Sequence, residues 1–150
     1  MDDDTAWKLL AEGEYGFLAM NGADGYGYGI PISYALSGRN IYFHCATEGY
    51  KLLCLKADDR VSFCVVGRTE VIPSGFTTIY ESVIAFGRIA GGLSDEERLD
   101  ALRLLGAKYC PGYAEKAEKY IAASFRRTNV LRLDIEEVTA KCKRTKKVIL

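Results

Sequence analysis

The chain has 150 residues, enough for one domain with a packed core, and 49% of them are hydrophobic. Lys and Arg number 20, Asp and Glu number 20, and the formal net charge is zero, so nothing electrostatic favours nucleic acid. The N-terminus MDDDTAWKLL lacks the apolar core of a signal peptide, and no apolar run is long enough to span a bilayer, so a cytoplasmic protein is expected.

In chain order, Asp4 caps a short helix with Leu9 and Leu10 inward, and Gly13 ends it. Tyr15 to Met20 reads as a first strand, and Asn21 to Gly25 as a turn. Tyr28 to Leu36 reads as a second strand with unlike faces. Tyr28, Ile30, Ile32, Tyr34 and Leu36 line one side; Gly29, Pro31, Ser33 and Ala35 line the other. A face of small residues admits a flat ligand or packs beneath a helix. Pro31 lacks an N–H for a ladder partner, so local irregularity is expected there.

Ser37 to Asn40 is a hairpin turn into the stretch that organises the rest, IYFHCATEGYKLLCLK. A strand from Ile41 to His44 breaks through Cys45, Ala46, Thr47, Glu48 and Gly49, and a short helix starts at Tyr50 with Leu52 and Leu55 on one face. Free N–H groups and the dipole at a helix start favour an anion. Gly49 lets it approach the backbone, Thr47 offers a hydroxyl and Lys51 a charge. The stretch is therefore a candidate phosphate cradle; the plainer reading is a surface turn with one Lys.

Arg60 to Val66 is a near-continuous apolar run, expected to be a strand buried on both faces. Gly67 to Phe76 is expected to be a long connection, and Thr78 to Ala90 the longest strand, bent or bulged at Gly87. Ser94 to Glu97 forms a capping box opening a helix to about Lys108, with Leu99, Leu102 and Leu105 inward. After Pro111 and Gly112, a helix over 113–123 places Tyr113, Ala117, Tyr120 and Ile121 on one face. Thr128 to Ile135 is the last strand; the basic run Lys141, Lys143, Arg144, Lys146 and Lys147 reads as a frayed, solvated tail. Five Cys with no C-x-x-C pair argue against a disulfide framework or a zinc site. Ten Tyr point to a surface that meets a flat ligand or a second subunit. About six strands with inserted helices give a mainly β, α+β fold built on a small barrel.

The segments YGIPISYAL, IYFHCATEGYKLLCL, VSFCVVG and IYESVIAFGRI resemble, in order, the pyridoxamine-phosphate-oxidase-like split β-barrel flavoproteins. Within these they are most similar to the nitroimidazole-resistance (Nim-type) reductase branch. The resemblance runs from about Glu14 to Lys141 and implies one domain, a six-stranded split barrel with peripheral helices. It also implies a homodimer with FMN at the interface. It places the flavin phosphate on His44, Cys45, Ala46, Gly49 and Lys51, with Thr47 standing in for a hydroxyl where relatives have Ser at the position of Cys45. It lays the ring along Pro31, Ile32 and Ser33, and brings Tyr80, Glu81, Ser82 and Val83 to it across the dimer. Relatives often carry a basic or imidazole side chain where this chain has Tyr50. His44, with an ordinary pKa near 6.5, is the candidate proton donor; the plainer reading is a strand-end His that only hydrogen-bonds. The implied activity is an FMN-dependent oxidoreductase, reduced by NAD(P)H and passing electrons to a small acceptor such as a nitroimidazole. The alternative is a non-enzymatic FMN carrier or redox sensor. A pyridoxamine-phosphate oxidase proper would need an Arg, Lys and His cluster around a substrate phosphate, and the chain has one His.

Overall fold

Alternation of apolar and polar residues determines the sheet. In this computed structural model, which describes residues 1–144, helix α1 (Asp3–Glu12) precedes strands β1 (Gly16–Asn21), β2 (Gly27–Ile32), β3 (Ala35–Ser37) and β4 (Asn40–Ala46). Helix α2 (Tyr50–Ala57), strand β5 (Arg60–Ile72), a 3-10 turn (Pro73–Gly75) and strand β6 (Thr77–Ala90) follow. Helices α3 (Asp95–Tyr109) and α4 (Ala114–Ser124), a second 3-10 turn (Phe125–Arg127) and strand β7 (Thr128–Lys143) complete the chain.

The seven strands form one antiparallel sheet in the order β2-β1-β5-β6-β7-β4-β3. Its two edges, β2 and β3, are consecutive in sequence. Ser33 and Tyr34 alone join them, so the sheet curls round on itself and stays split there. The expected six strands become seven because the Tyr28–Leu36 strand breaks at this point. Tyr34 and Ala35 are both buried, which a two-residue period does not allow. Tyr34 turns into the barrel, edge-on to Phe63 at 4.7 Å, while Ala35 packs beneath α3. The Tyr34 hydroxyl donates to the Leu10 carbonyl, and its N–H donates to the Tyr109 hydroxyl at 2.9 Å. Pro31 lies on edge strand β2, the one place in a ladder where a missing N–H is tolerated.

Other expectations shift. The α1 cap is Asp2, whose carboxylate accepts from the Thr5 N–H at 2.8 Å, and Asp4 belongs to the first turn. Strand β5 is buried on one face only; Val61, Phe63 and Val65 face the core, and Val66 is 61% exposed. It also runs on to Ile72, where a connection from Gly67 was expected. Thr69, Val71 and Ile72 favour extended backbone and pair with Tyr80, Thr78 and Thr77 beyond an irregularity at 66–69. Strand β7 likewise runs past Ile135, making it longer than β6. Lys141 and Lys143 pair with Ser82 and Tyr80 and are no frayed tail, whereas Lys146 and Lys147 lie outside the described residues. The irregularity expected at Gly87 is present: the β6–β7 register shifts between Phe86 and Gly87, where a Cβ would collide with the Asp134 carbonyl oxygen. The Ser94 hydroxyl caps α3 as expected, but Glu97 turns to Arg132 at 2.7 Å and leaves the box half closed.

The main core fills the barrel; a smaller one lies between α3, α4 and the outer side of β3, β4 and β7. Among the described residues, no helix is long and apolar enough to cross a membrane.

Candidate functional site

The β4 ladder alternates, with Phe43 fully buried and His44 directed outward. Antiparallel pairing of Ala35 with Tyr42 brings the end of the β2–β3 junction alongside β4, with Ser33 just before β3 and His44 near the end of β4. Both border one cleft of about 950 Å³, whose far wall is built by α3 and α4. Two stretches proposed from sequence are thus brought together. The β2 edge delivers Pro31, which is exposed, Ile32, which packs against the core, and Ser33, which reaches the cleft. The end of β4 delivers His44. Across the same junction, Tyr28 of β2 meets Tyr50 of α2 edge-on at 4.9 Å. Tyr50 therefore locks the turn to the β2 edge.

The turn after β4 suits an anion. Gly49 has φ of 139°, a region that side chains rarely adopt, and a Cβ there would meet nothing within 4 Å. The backbone is therefore open to a bulky group. The first N–H bonded into α2 is that of Leu52, to the Gly49 carbonyl at 3.0 Å. The N–H groups of Tyr50 and Lys51 have no partner among the described residues. No side chain caps this end. Ala46 and Thr47 are exposed beside it. Cys45 is different: its half-buried side chain packs partly against the barrel core, with its thiol within reach of Lys51.

Electrostatics tie the turn to the strand. Burial holds the His44 imidazole below its ordinary pKa of 6.5, and the Lys51 ammonium lowers it further. Both effects favour the neutral ring over the ordinary imidazole that the sequence suggests. Burial pushes the Cys45 thiol up, opposed by Lys51. Lys51 thus acts on both residues from the first turn of α2. The free N–H pair, the open Gly49 and Lys51 together fit the phosphate of a flavin nucleotide.

The other expected residues lie elsewhere. His44 pairs with Val130 on β7, whereas Tyr80 pairs with Lys143, thirteen residues further along the same strand. Tyr80, Glu81, Ser82 and Val83 are therefore separated from His44 within one chain by roughly 30–40 Å of strand contour. Val83 is fully buried in the barrel, so its side chain lines no ligand; Tyr80 and Ser82 alternate with it and point outward. The helical wall went unrecognised in the sequence. Tyr109, Tyr113, Lys116 and Tyr120 all line the cleft with His44, although Tyr113 and Tyr120 fall on the helix face seen from periodicity.

The chain's similarities agree with this architecture. A candidate 5-nitroimidazole antibiotic resistance protein from Bacteroides thetaiotaomicron shares the fold with a TM-score of 0.76 at 17% identity, over 93% of this chain and 82% of that one. A conserved hypothetical protein from Mycobacterium tuberculosis gives 0.82 at 16%, over 99% and 92%. An FAD-binding protein from Mesorhizobium loti gives 0.68 at 24%, over 96% of each. No curated protein matches the chain by sequence. The sequence profile of the pyridoxamine 5'-phosphate oxidase family matches residues 2–142. With a split barrel and a matched span of nearly its whole length, the chain belongs to the pyridoxamine 5'-phosphate oxidase family.

Proposed function

We propose that this chain is a single-domain, cytoplasmic, flavin-dependent oxidoreductase of the Nim-type branch. It binds FMN, accepts electrons from NAD(P)H and passes them to a small acceptor such as a nitroimidazole. The observation that carries this reading is the meeting of Ser33 and His44 at one cleft, beside an open anion turn with Lys51. Proteins of similar fold, among them a nitroimidazole-resistance candidate and an FAD-binding protein, support it.

The bound flavin supplies the redox chemistry; the chain positions and shields it. Lys51 and the N–H groups of Tyr50 and Lys51 hold the phosphate. Pro31 to Ser33 present the edge along which the ring lies. His44, neutral at pH 7, offers a ring N–H as a hydrogen-bond donor and becomes an acid only as pH falls below 6.5. The functional unit is a homodimer, in which Tyr80 and Ser82 of the second copy reach the flavin. Exposed apolar side chains on the β5–β6 side, including Val66, Tyr80 and Phe86, support such an interface.

The test is spectroscopic. Protein loaded with FMN is expected to bleach anaerobically on addition of NADH or NADPH and to regain its colour when a nitroimidazole follows. Bound flavin that neither nicotinamide reduces would instead mark a carrier or sensor.

A further inference from the structure

The cleft beside His44 is lined mainly by α3 and α4 and by no residue of the anion turn, and its helical wall has a chemistry of its own. Among its lining residues there is no Asp or Glu, and Lys116 is the one side chain that is charged at neutral pH. Several neighbouring charges on this helical pair are matched, while Lys108 of α3 lies over the Tyr34 ring away from the cleft lining. Arg103 of α3 bonds Glu118 of α4 at 2.8 Å and Asp100 at 3.6 Å, and Lys119 bonds Glu115 at 2.9 Å. Lys116 takes part in no ion pair among the described residues. It stands three residues after Tyr113 and four before Tyr120, so all three share one helical stripe, and that stripe faces the cleft. The two rings are 63% and 71% exposed, large apolar surfaces left mostly open by the described residues. Opposite them, the cleft is floored by Ser33, His44 and Thr128.

A space of this size with two uncovered aromatic rings takes a flat ligand by stacking or edge contact. An unpaired ammonium between the rings, with no carboxylate to compete for it, selects the sign of the ligand's charge. We propose that the α3–α4 wall is the acceptor subsite, and that it takes planar aromatic molecules bearing an anionic group. Tyr113 and Tyr120 hold the ring and Lys116 holds the carboxylate or an equivalent anion. The assignment rests on the oxidoreductase reading and names the substrate class for it. It also separates two anion contacts: Lys51 serves the cofactor phosphate, and Lys116 serves the acceptor.

The test is calorimetric binding of a matched pair, para-nitrobenzoate and the neutral para-nitrobenzyl alcohol, to FMN-loaded protein. The pH is held well above the His44 pKa so that the imidazole carries no charge. Wild type is expected to prefer the benzoate by about fivefold, the scale of a partly solvated charge contact. Lys116→Gln abolishes the preference, Tyr120→Leu weakens both probes alike, and FMN affinity stays unchanged in both variants. These side chains are exposed, so folding is not at risk. Equal binding of the two probes by wild type, or a preference that survives Lys116→Gln, overturns the proposal. A fall in FMN affinity in Lys116→Gln also overturns it, by showing that the flavin fills this space, and leaves the flavoprotein reading intact. A chain that binds no FMN refutes the underlying reading instead; the probe preference is then measured on the flavin-free protein and decides the subsite alone.

Discussion

The two ends of the barrel carry the same expectation and meet it differently. At the β4–α2 end, a contiguous stretch folds into a finished feature: His44 outward, Gly49 open, Lys51 acting on its neighbours. At the β5–β6 end, Tyr80 is exposed beside a half-buried Ser82, Val66 is 61% exposed, and Phe76 is 98% exposed with a left-handed φ of 48°. One end is built from a contiguous stretch, and the other leaves apolar side chains exposed, the surface the proposed dimer would cover. A local motif needs a strand, a turn and a helix start, which sequence neighbours provide. A shared pocket needs a second surface, which one chain cannot provide.

The largest expected effect comes from blocking that second surface. Val66→Arg sets an unpaired charge on the uncovered side, beside Ser82 in the β5–β6 ladder. Burying it at an interface would cost about 3 kcal/mol or more, so sedimentation should show monomers and flavin content should fall. A dimer that keeps its flavin would place the interface elsewhere. Next, Lys51→Ala should weaken FMN by about 1.5–3 kcal/mol, ten- to hundredfold, with an unchanged urea midpoint. An unchanged dissociation constant would show that the turn is not the cradle. His44→Gln should leave FMN bound and slow single-turnover oxidation of pre-reduced protein by a nitro compound, by about tenfold at acidic pH. Because the folded pKa lies below 6.5, the gap between wild type and variant should widen as pH falls; parallel pH profiles would reduce His44 to a structural role.

The smallest effect is on stability. Well above pH 6.5 His44 is neutral in both folded and unfolded chains and contributes nothing. Below it the unfolded chain takes up the proton first, so wild-type stability should fall as pH drops through 6.5 toward the lower folded value. His44→Gln should lose that component of the pH slope in denaturant titrations, and an identical slope in the variant would contradict the depressed pKa.

What the sequence disclosed follows from range. The α2 start, the Ser94 cap and the Gly87 irregularity are local, and the chain shows them as expected. The break at Tyr34 was hidden because Leu10, Phe63 and Tyr109, far apart in sequence, pull one residue inward where alternation alone would continue the strand. The outward runs of β5 and β7 were hidden because each is held by pairing with β6. Cys45 and Val83 illustrate the same limit within the candidate site. A motif aligns their positions, but the strand's two-residue period turns both side chains into the barrel. The α3–α4 wall was visible only as an amphipathic helix, since its partner across the cleft is some seventy residues earlier in the chain.

The central claim is that the β4–α2 turn holds a flavin phosphate, and equilibrium titration of flavin-free protein with FMN, followed through the quenching of flavin fluorescence, tests it most directly. The account predicts saturation at one FMN per chain and at least tenfold weaker binding of riboflavin, which has the ring but no phosphate. Equal affinity for FMN and riboflavin, or no saturable binding of either, would contradict it.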